Sequence, residues 1–260
     1  MTTVSYALQD SATMLRRNVR HMARYPSMTI LLVGMPVVLL LLFVYVFGGT
    51  LGAGLGGGRD AYLDFVTPGI MLITIASAAQ GTAISVATDM TEGIIARFRT
   101  MAISRASVLT GHVVGSMIQT MFALAVVTGV AVLVGFRPTA DAVEWLAAIG
   151  LLAGFTFALT WLSVALGLVS RSVETASNLP MFLMLLPFLG SGFVPTDSMP
   201  TGLRWFAEYQ PFSPVIETLR GLLLGGPIGN NGVLAVAWTV AIALFGYIWA
   251  KRQYERRAIR

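Results

Sequence analysis

Two acidic and three basic side chains stand close together in residues 89–105, D-M-T-E-G-I-I-A-R-F-R-T-M-A-I-S-R, within a very apolar chain. Asp89 has the position of a helix N-cap, and Glu92 follows at the spacing of a capping box. Arg97 and Arg99 come later in the run, where the helix dipole favours cations. One face of the predicted helix carries Ile94, Ile95, Phe98 and Met101. The pattern predicts a short amphipathic helix in this run. The run is either only a solvated connection between two membrane spans or a docking helix for a cytoplasmic partner.

The sequence lacks the other residue combinations that would support chemistry. It contains no Cys, which excludes disulfides, thiolate metal sites and cysteine nucleophiles. Its one Lys is Lys251, and the glycine-rich run 51–58 is followed by Arg59 and Asp60, so a P-loop is excluded. His112 is expected to be a solvated or interfacial ring rather than a catalyst. We therefore expect no catalytic, metal or cofactor site on this chain, and any ATP must be bound by another chain.

Composition indicates an integral membrane protein. Of the 260 residues, 56% are hydrophobic and 11% charged, against about 25% charged in soluble domains, and the mean hydropathy is +0.77. Six apolar stretches are long enough, at about 20 residues each, to cross a bilayer core of about 30 Å. They lie at 27–47, 65–88, 107–134, 143–169, 176–194 and 232–250. Kinks are predicted at Pro36, Pro68, Pro180 and Pro187.

The distribution of charge predicts the orientation. Thirteen of the seventeen basic residues fall in the N-terminal segment, the 89–105 run, the loop at Arg171 and the C-terminal tail. The positive-inside rule therefore places both termini and the 89–105 run in the cytoplasm, which agrees with an even number of spans. The net charge of +5 reflects this orientation rather than nucleic-acid binding. The predicted domains are a cytoplasmic amphipathic helix at 1–26, one six-span domain at 27–250 and a basic tail at 251–260.

Polar residues inside the predicted spans are almost all uncharged, which argues against an ion-coupled secondary transporter. Each of them could simply bond a neighbouring helix. As a group, with aromatic neighbours, they could instead line a route for an amphiphilic and largely apolar solute. The residues of this predicted substrate path are Gln80, Ser85, Gln119, Thr156, Phe157, Thr160 and Trp161.

Residues 191–226 are predicted to form a partly re-entrant external hairpin. Four prolines divide it into two short amphipathic helices, at 202–209 and 215–224, with aromatic residues suited to the membrane interface. The prolines are Pro195, Pro200, Pro211 and Pro214, and the charged residues singled out are Arg204, Glu208, Glu217 and Arg220.

Specific motifs in this hairpin are F-V-P-T-D-S-M-P, L-R-W-F-A-E-Y-Q-P-F-S-P and E-T-L-R-G-L-L-L-G, and T-M-A-I-S-R-A-S-V-L-T-G-H enters the third apolar stretch. They resemble the membrane subunits of type-2 ABC exporters, especially the daunorubicin/doxorubicin-resistance branch. The resemblance implies a transporter of two permeases, expected to be identical copies, and two separate ATPase subunits that bind ATP and Mg²⁺. It also implies that the N-terminal helix lies along the inner membrane face and contacts the ATPase.

The same resemblance makes residues 89–105 the coupling helix that contacts the ATPase. Its expected contact residues are Asp89, Thr91, Glu92, Gly93, Ile94, Arg97, Phe98 and Arg99. Thr91 departs from the family pattern, because many relatives carry an acid there.

These expectations combine into an all-α, six-span permease in the cytoplasmic membrane of a bacterium. It would contact membrane lipid and export a hydrophobic or amphiphilic, drug-like compound, while a partner ATPase hydrolyses ATP. Two alternatives stay open. The exported compound could be a lipid-linked saccharide or cell-wall polymer, or the chain could be a membrane anchor or sensor that transports nothing.

Overall fold

A computed structural model of the chain describes residues 26–91, 105–170 and 172–257. In this part of the chain there are helices and turns but no β-strand, which confirms the all-α class. We number its α-helices in chain order: α1 Pro26–Leu42, α2 Gly48–Gly54, α3 Gly58–Thr91, α4 Arg105–Val134, α5 Ala142–Val169, α6 Val173–Asn178, α7 Met181–Leu185, α8 Thr201–Tyr209, α9 Phe212–Leu224 and α10 Asn231–Arg257. The predicted N-terminal helix, most of the predicted coupling helix, the loop residue Arg171 and the end of the basic tail lie outside the described residues.

Five helical stretches in the described residues are long and apolar enough to span a membrane. They correspond to the first four predicted spans and the sixth: Ile30–Gly54, Gly58–Thr91, Thr110–Val134, Ala142–Val169 and Asn231–Glu255. The first of them combines α1 and α2 through a π-helical turn, Phe43–Phe47. The predicted count of six spans is not confirmed.

The fifth predicted span, 176–194, is not a continuous helix. It consists of the end of α6, the short helix α7 and a run of turns from residue 186 onward. Pro180 separates α6 from α7, and Pro187 follows α7. Proline lacks the N–H that a helix needs and its ring clashes with the preceding turn, so two prolines at this spacing break the helix rather than kink it.

Helices α3 and α5 form the centre of the bundle. In their most apolar windows 72% and 61% of the residues are buried, against 17% for both the first span and α10. Helix α3 packs against α1, α4, α5, α6 and α9, and α5 packs closely against α10. The outer helices expose large apolar side chains, including Ile30, Leu31, Val233 and Val240. Such surfaces are unfavourable in water and suit contact with lipid.

The core is divided into two apolar clusters along the bundle. The larger cluster is centred on the first half of α3 and includes Tyr62, Phe136, Phe155 and Phe212. The smaller one joins the last turns of α3 and the first turns of α4 to α5 and α10, and we call it the loop-end cluster. Its members are Val86, Val113, Trp161, Val164, Ala165, Leu168, Ala250 and Tyr254.

Local sequence signals account for several helix boundaries. The side chain of Asp141 accepts a hydrogen bond from the Glu144 N–H, and Glu144 bonds back to the Asp141 N–H, so a capping box starts α5. Gly225, with φ of 73°, ends α9 in the left-handed conformation that glycine adopts without strain.

The two predicted hairpin helices are present. Helix α8 begins one residue before its predicted start, and α9 begins three residues earlier than predicted. Pro214 therefore lies in the first turn of α9, where a missing N–H costs little.

Candidate functional site

The described end of the predicted coupling segment differs from the expectation. Asp89 lies in the last turn of α3, which continues to Thr91, so it does not cap a new helix. Thr91 is exposed, and its hydroxyl donates to the Thr88 carbonyl at 3.0 Å. The remaining predicted contact residues lie outside the described part of the chain: Glu92, Gly93, Ile94, Arg97, Phe98 and Arg99.

Asp89 contacts His112 at the base of this segment. Asp89 Oδ2 and His112 Nε2 lie 3.0 Å apart, and each residue is 8% exposed. His112 is therefore buried against α3 and is not the solvated ring that the sequence allowed. Because α3 and α4 are antiparallel neighbours, an acid near the end of α3 and a histidine in the first turns of α4 come together. Asp89 lies three residues before residue 92 and His112 eight residues after residue 104, so spacing in the sequence alone does not indicate the pair.

A second polar contact joins the same two helices one level deeper. Thr82 Oγ1 and Ser116 Oγ lie 2.6 Å apart, and Thr82 also donates to the Ala78 carbonyl. Val86 and Val113 pack in the loop-end cluster beside these contacts. The ends of α3 and α4 that flank residues 92–104 are thus held together by two polar side-chain contacts and an apolar cluster.

The predicted substrate-path residues do not share one surface. Gln80 Nε2 donates to the Ser177 carbonyl at 2.7 Å, which ties α3 to α6. Ser85 is exposed and Gln119 is half-buried. On α5, Thr160 donates to the Thr156 carbonyl at 2.7 Å, and both threonines are buried. The side chains of Gln80 and Thr160 thus make contacts between or within helices, whereas Thr156 Oγ1 is buried without a hydrogen-bond partner among the described residues.

The aromatic members of the predicted path lie toward α10. Phe157 is 41% exposed, and its ring meets Trp161 edge to face at 6.3 Å between centroids. Trp161 in turn contacts Tyr247 at 5.0 Å. A cavity of about 290 Å³ lies between α5 and α10. It is lined by Ala147, Gly150, Leu151, Gly154, Val236 and Thr239. None of the predicted path residues lines this cavity.

The hairpin residues fall into an exposed part and a buried part. Arg204 is exposed on α8 and pairs with Glu208 at 2.7 Å and with Asp197 at 2.6 Å. Both carboxylates raise the pKa of Arg204. Pro195 precedes a short 3₁₀ turn, Thr196–Ser198, while Pro200 and Pro211 immediately precede α8 and α9.

Arg220 is the least exposed of the ion-paired side chains in the hairpin, with 16% of its side chain exposed. Its Nη1 donates to Glu217 at 2.6 Å, and its Nη2 donates to the carbonyls of Phe65 at 3.0 Å and Ser191 at 2.9 Å. The guanidinium also lies 3.9 Å from the centroid of the Phe65 ring. Burial lowers the pKa of Arg220, and Glu217 opposes that shift. Since an arginine keeps its proton in proteins, the site holds a charged guanidinium.

We call the turns at residues 186–194 the turn segment. Side chains of neighbouring elements hydrogen-bond to its backbone. Gln210 Nε2 donates to the Leu186 carbonyl at 3.1 Å, and Ser213 Oγ accepts from the Ser191 N–H at 3.1 Å. Tyr62 donates its hydroxyl to the Phe193 carbonyl at 3.2 Å. We call this group the hairpin junction: Tyr62, Phe65, Ser191, Gln210, Ser213, Glu217 and Arg220. Its contacts mainly involve backbone atoms, which residue type and spacing do not indicate.

Comparison with known proteins gives a family match over most of the chain. The model of the family described as ABC-2 type transporter matches residues 10–224. The chain is 29% identical over 220 residues to the daunorubicin resistance ABC transporter permease protein DrrB1 of Streptomyces coeruleorubidus, covering 84% of this chain and 76% of that relative. It is 25% identical over 233 residues to the probable doxorubicin resistance ABC transporter permease protein DrrC of Mycobacterium tuberculosis, covering 89% and 84%.

Proposed function

Because the chain belongs to the ABC-2 type transporter family, we propose that it is the permease subunit of an ATP-driven exporter. The observation that carries the proposal is the family match across residues 10–224, joined by relatives whose names describe drug-resistance permeases. Two copies of the permease would work with two copies of a separate ATPase, which binds ATP and Mg²⁺. The exported compound would be hydrophobic or amphiphilic and drug-like.

The chain is a multi-pass bacterial membrane protein with helices long enough to span the bilayer. We propose six crossings with both termini in the cytoplasm, the interrupted stretch of α6, α7 and the turn segment being the fifth. Non-helical backbone is tolerated at membrane depth where protein covers it. In support, α6 and α7 pack against α3, and Gln80 bonds the Ser177 carbonyl in this stretch. Helices α8 and α9 would then form the external re-entrant hairpin.

The ATPase would act on residues 89–105 and move the α3 and α4 ends together. The Asp89 and His112 contact supports this, because it joins the two helices immediately beside the segment that the ATPase would contact. The loop-end cluster extends the connection to α5 and α10 through Trp161 and Tyr254. A push on the segment would therefore reach four helices rather than one.

A reconstitution experiment tests the proposed function. The chain is co-expressed with a candidate ABC ATPase, and the purified complex is placed in proteoliposomes with a fluorescent amphiphilic dye. We expect co-purification and dye transport that requires ATP. An ATPase variant lacking its P-loop lysine is the matched control, because it should assemble and not transport.

The other outcomes distinguish the alternatives. Transport of a lipid-linked saccharide without dye transport would replace the drug-like substrate by the saccharide. A permease that purifies without an ATPase and supports no ATP-dependent transport would favour an anchor or sensor and would contradict the exporter.

A further inference from the structure

We propose that Arg220 is a positioning residue that makes α9, the turn segment and the adjacent part of α3 move as one body during transport. The proposal rests on the exporter function above and deepens it. It names the side chain through which movement of α3 reaches the hairpin.

The contacts of Arg220 join three separate parts of the chain. Glu217 lies on α9 with it, Phe65 lies on α3, and Ser191 lies in the turn segment. One planar guanidinium makes all three contacts and also covers the Phe65 ring. Arginine is suited to this role because its donors are held in a rigid fork and its charge is weakly hydrated.

Arg220 contacts the backbone of α3 close to Pro68. A proline inside a helix leaves the carbonyl four residues earlier without its helical partner and bends the helix nearby. That carbonyl belongs to Asp64, next to the Phe65 carbonyl that accepts from Arg220. Arg220 therefore binds α3 beside the point where its own hydrogen bonding is interrupted.

Close backbone packing supports a single body at the same level. A Cβ added to Gly69 of α3 would lie 2.5 Å from the Gly192 carbonyl oxygen, so α3 and the turn segment touch without intervening side chains. Tyr62 and Ser213 fix the two ends of this contact, at Phe193 and Ser191. Little room is left for the turn segment to slide along α3 while Arg220 stays in place.

Helix α3 is long enough to connect the two ends of the molecule. At about 1.5 Å per residue, its axis from Phe65 to Asp89 is about 36 Å long. It is also the most buried of the candidate spans. Movement at Asp89 is thus carried by a packed helix to Phe65, and Arg220 passes it to α9.

The test compares R220M and R220K with R137M in the complete complex with its ATPase. Arg137 is a matched control because it also donates to two carbonyls, those of Val132 and Phe136, but both lie close to it in sequence. We expect R220M to lower the maximal export rate at least tenfold while ATP hydrolysis continues and the apparent KM changes less than twofold. R220K should lie between R220M and the unmodified protein, and R137M should stay within twofold of the latter.

Hydrogen exchange separates failure of this proposal from failure of the exporter function. In purified permease, R220M should speed exchange in peptides from the turn segment, and R137M should not. This readout needs no transport, so it remains informative if the unmodified complex exports nothing. Unchanged exchange in R220M, or a normal ratio of export to ATP hydrolysis, would overturn the role of Arg220.

A covalent tie provides a rescue. The chain has no Cys, so S191C with S213C introduces a single pair at a site where Ser191 N and Ser213 Oγ are 3.1 Å apart. In the R220M background, oxidation should restore export at least threefold, and a reductant should remove the gain.

Discussion

Asp89 Oδ2 and His112 Nε2 lie 3.0 Å apart although 23 residues separate them in the chain, and both side chains are almost fully buried. The pair joins the end of α3 to the beginning of α4, on either side of residues 92–104 in the chain. A buried carboxylate is costly unless it is hydrogen-bonded, so this contact stabilises the arrangement that brings the two helix ends together.

Removing one partner of this pair is expected to destabilise the protein. His112→Ala leaves the Asp89 carboxylate buried without the ring, and we expect a loss of about 1–3 kcal/mol in the free energy of unfolding. Denaturation in mixed micelles measures it, and a double-mutant cycle with Asp89→Ala gives the coupling. Thr91→Ala removes an exposed hydroxyl nearby and should change stability by less than about 0.5 kcal/mol. Equal effects of the His112 and Thr91 substitutions would contradict this account.

Charge reversal in the 89–105 run tests the predicted ATPase contact. Glu92→Arg combined with Arg97→Glu should abolish export and the solute-stimulated part of ATP hydrolysis, because the ATPase would meet the wrong charges. Membrane insertion, measured as the amount of chain in the membrane fraction, should not change. The control reverses Arg59 and Asp60, an exposed pair at the opposite end of α3. Unchanged transport in the Glu92 and Arg97 variant would remove this segment from the mechanism.

Gly69 is expected to tolerate no side chain. In Gly69→Ala the new methyl group would meet the Gly192 backbone, so the turn segment must shift, at a cost of about 1–3 kcal/mol. Gly34→Ala on α1 is the control, since a Cβ there has no neighbour within 4 Å and alanine favours helix. Thermal unfolding in detergent should show a lower midpoint for Gly69→Ala only. Similar midpoints for both variants would mean that the close approach does not matter for stability.

Single cysteines test the number of crossings. The exposed positions Ser172, Thr201, Asn230 and Arg252 are each replaced by Cys in a chain that has none of its own. A maleimide that cannot cross membranes should label positions 201 and 230 in intact cells. It should label positions 172 and 252 only after permeabilisation. Labelling of 172 and 201 from the same side would show that the interrupted stretch does not cross.

The sequence predicted the elements whose signals are local. Long apolar runs located the five spanning helices, and the prolines at 200 and 211 located the starts of α8 and α9 to within a few residues. The interrupted stretch was misjudged because hydropathy measures composition and does not distinguish a bent helix from a broken one. Pro180 and Pro187 favoured a kink in that interpretation, whereas the structure has turns after Leu185.

The contacts between distant segments were less accessible to prediction. Arg220 was singled out as a hairpin residue, but its acceptors are backbone carbonyls of Phe65 and Ser191, and every residue type has such a carbonyl. The predicted path residues Thr156 and Phe157 are adjacent in sequence and therefore point in different directions on α5, one buried and one exposed. Polarity alone does not decide which helix face meets a neighbour.

The π-helical turn Phe43–Phe47 changes the direction in which the later side chains of the first span point. A π-helical turn contains one residue more than an α-helical turn, so the residues beyond it are rotated by about 100° relative to an uninterrupted helix. Gly48 and Gly52 are buried, and Gly52 lies directly against the backbone of Gly58. Without the extra residue, the bulky side chains of Phe47 and Leu51 would point in the directions that Gly48 and Gly52 now face. One inserted residue thus decides which side chains of the first span face the lipid and which glycines form the flat surface that contacts α3.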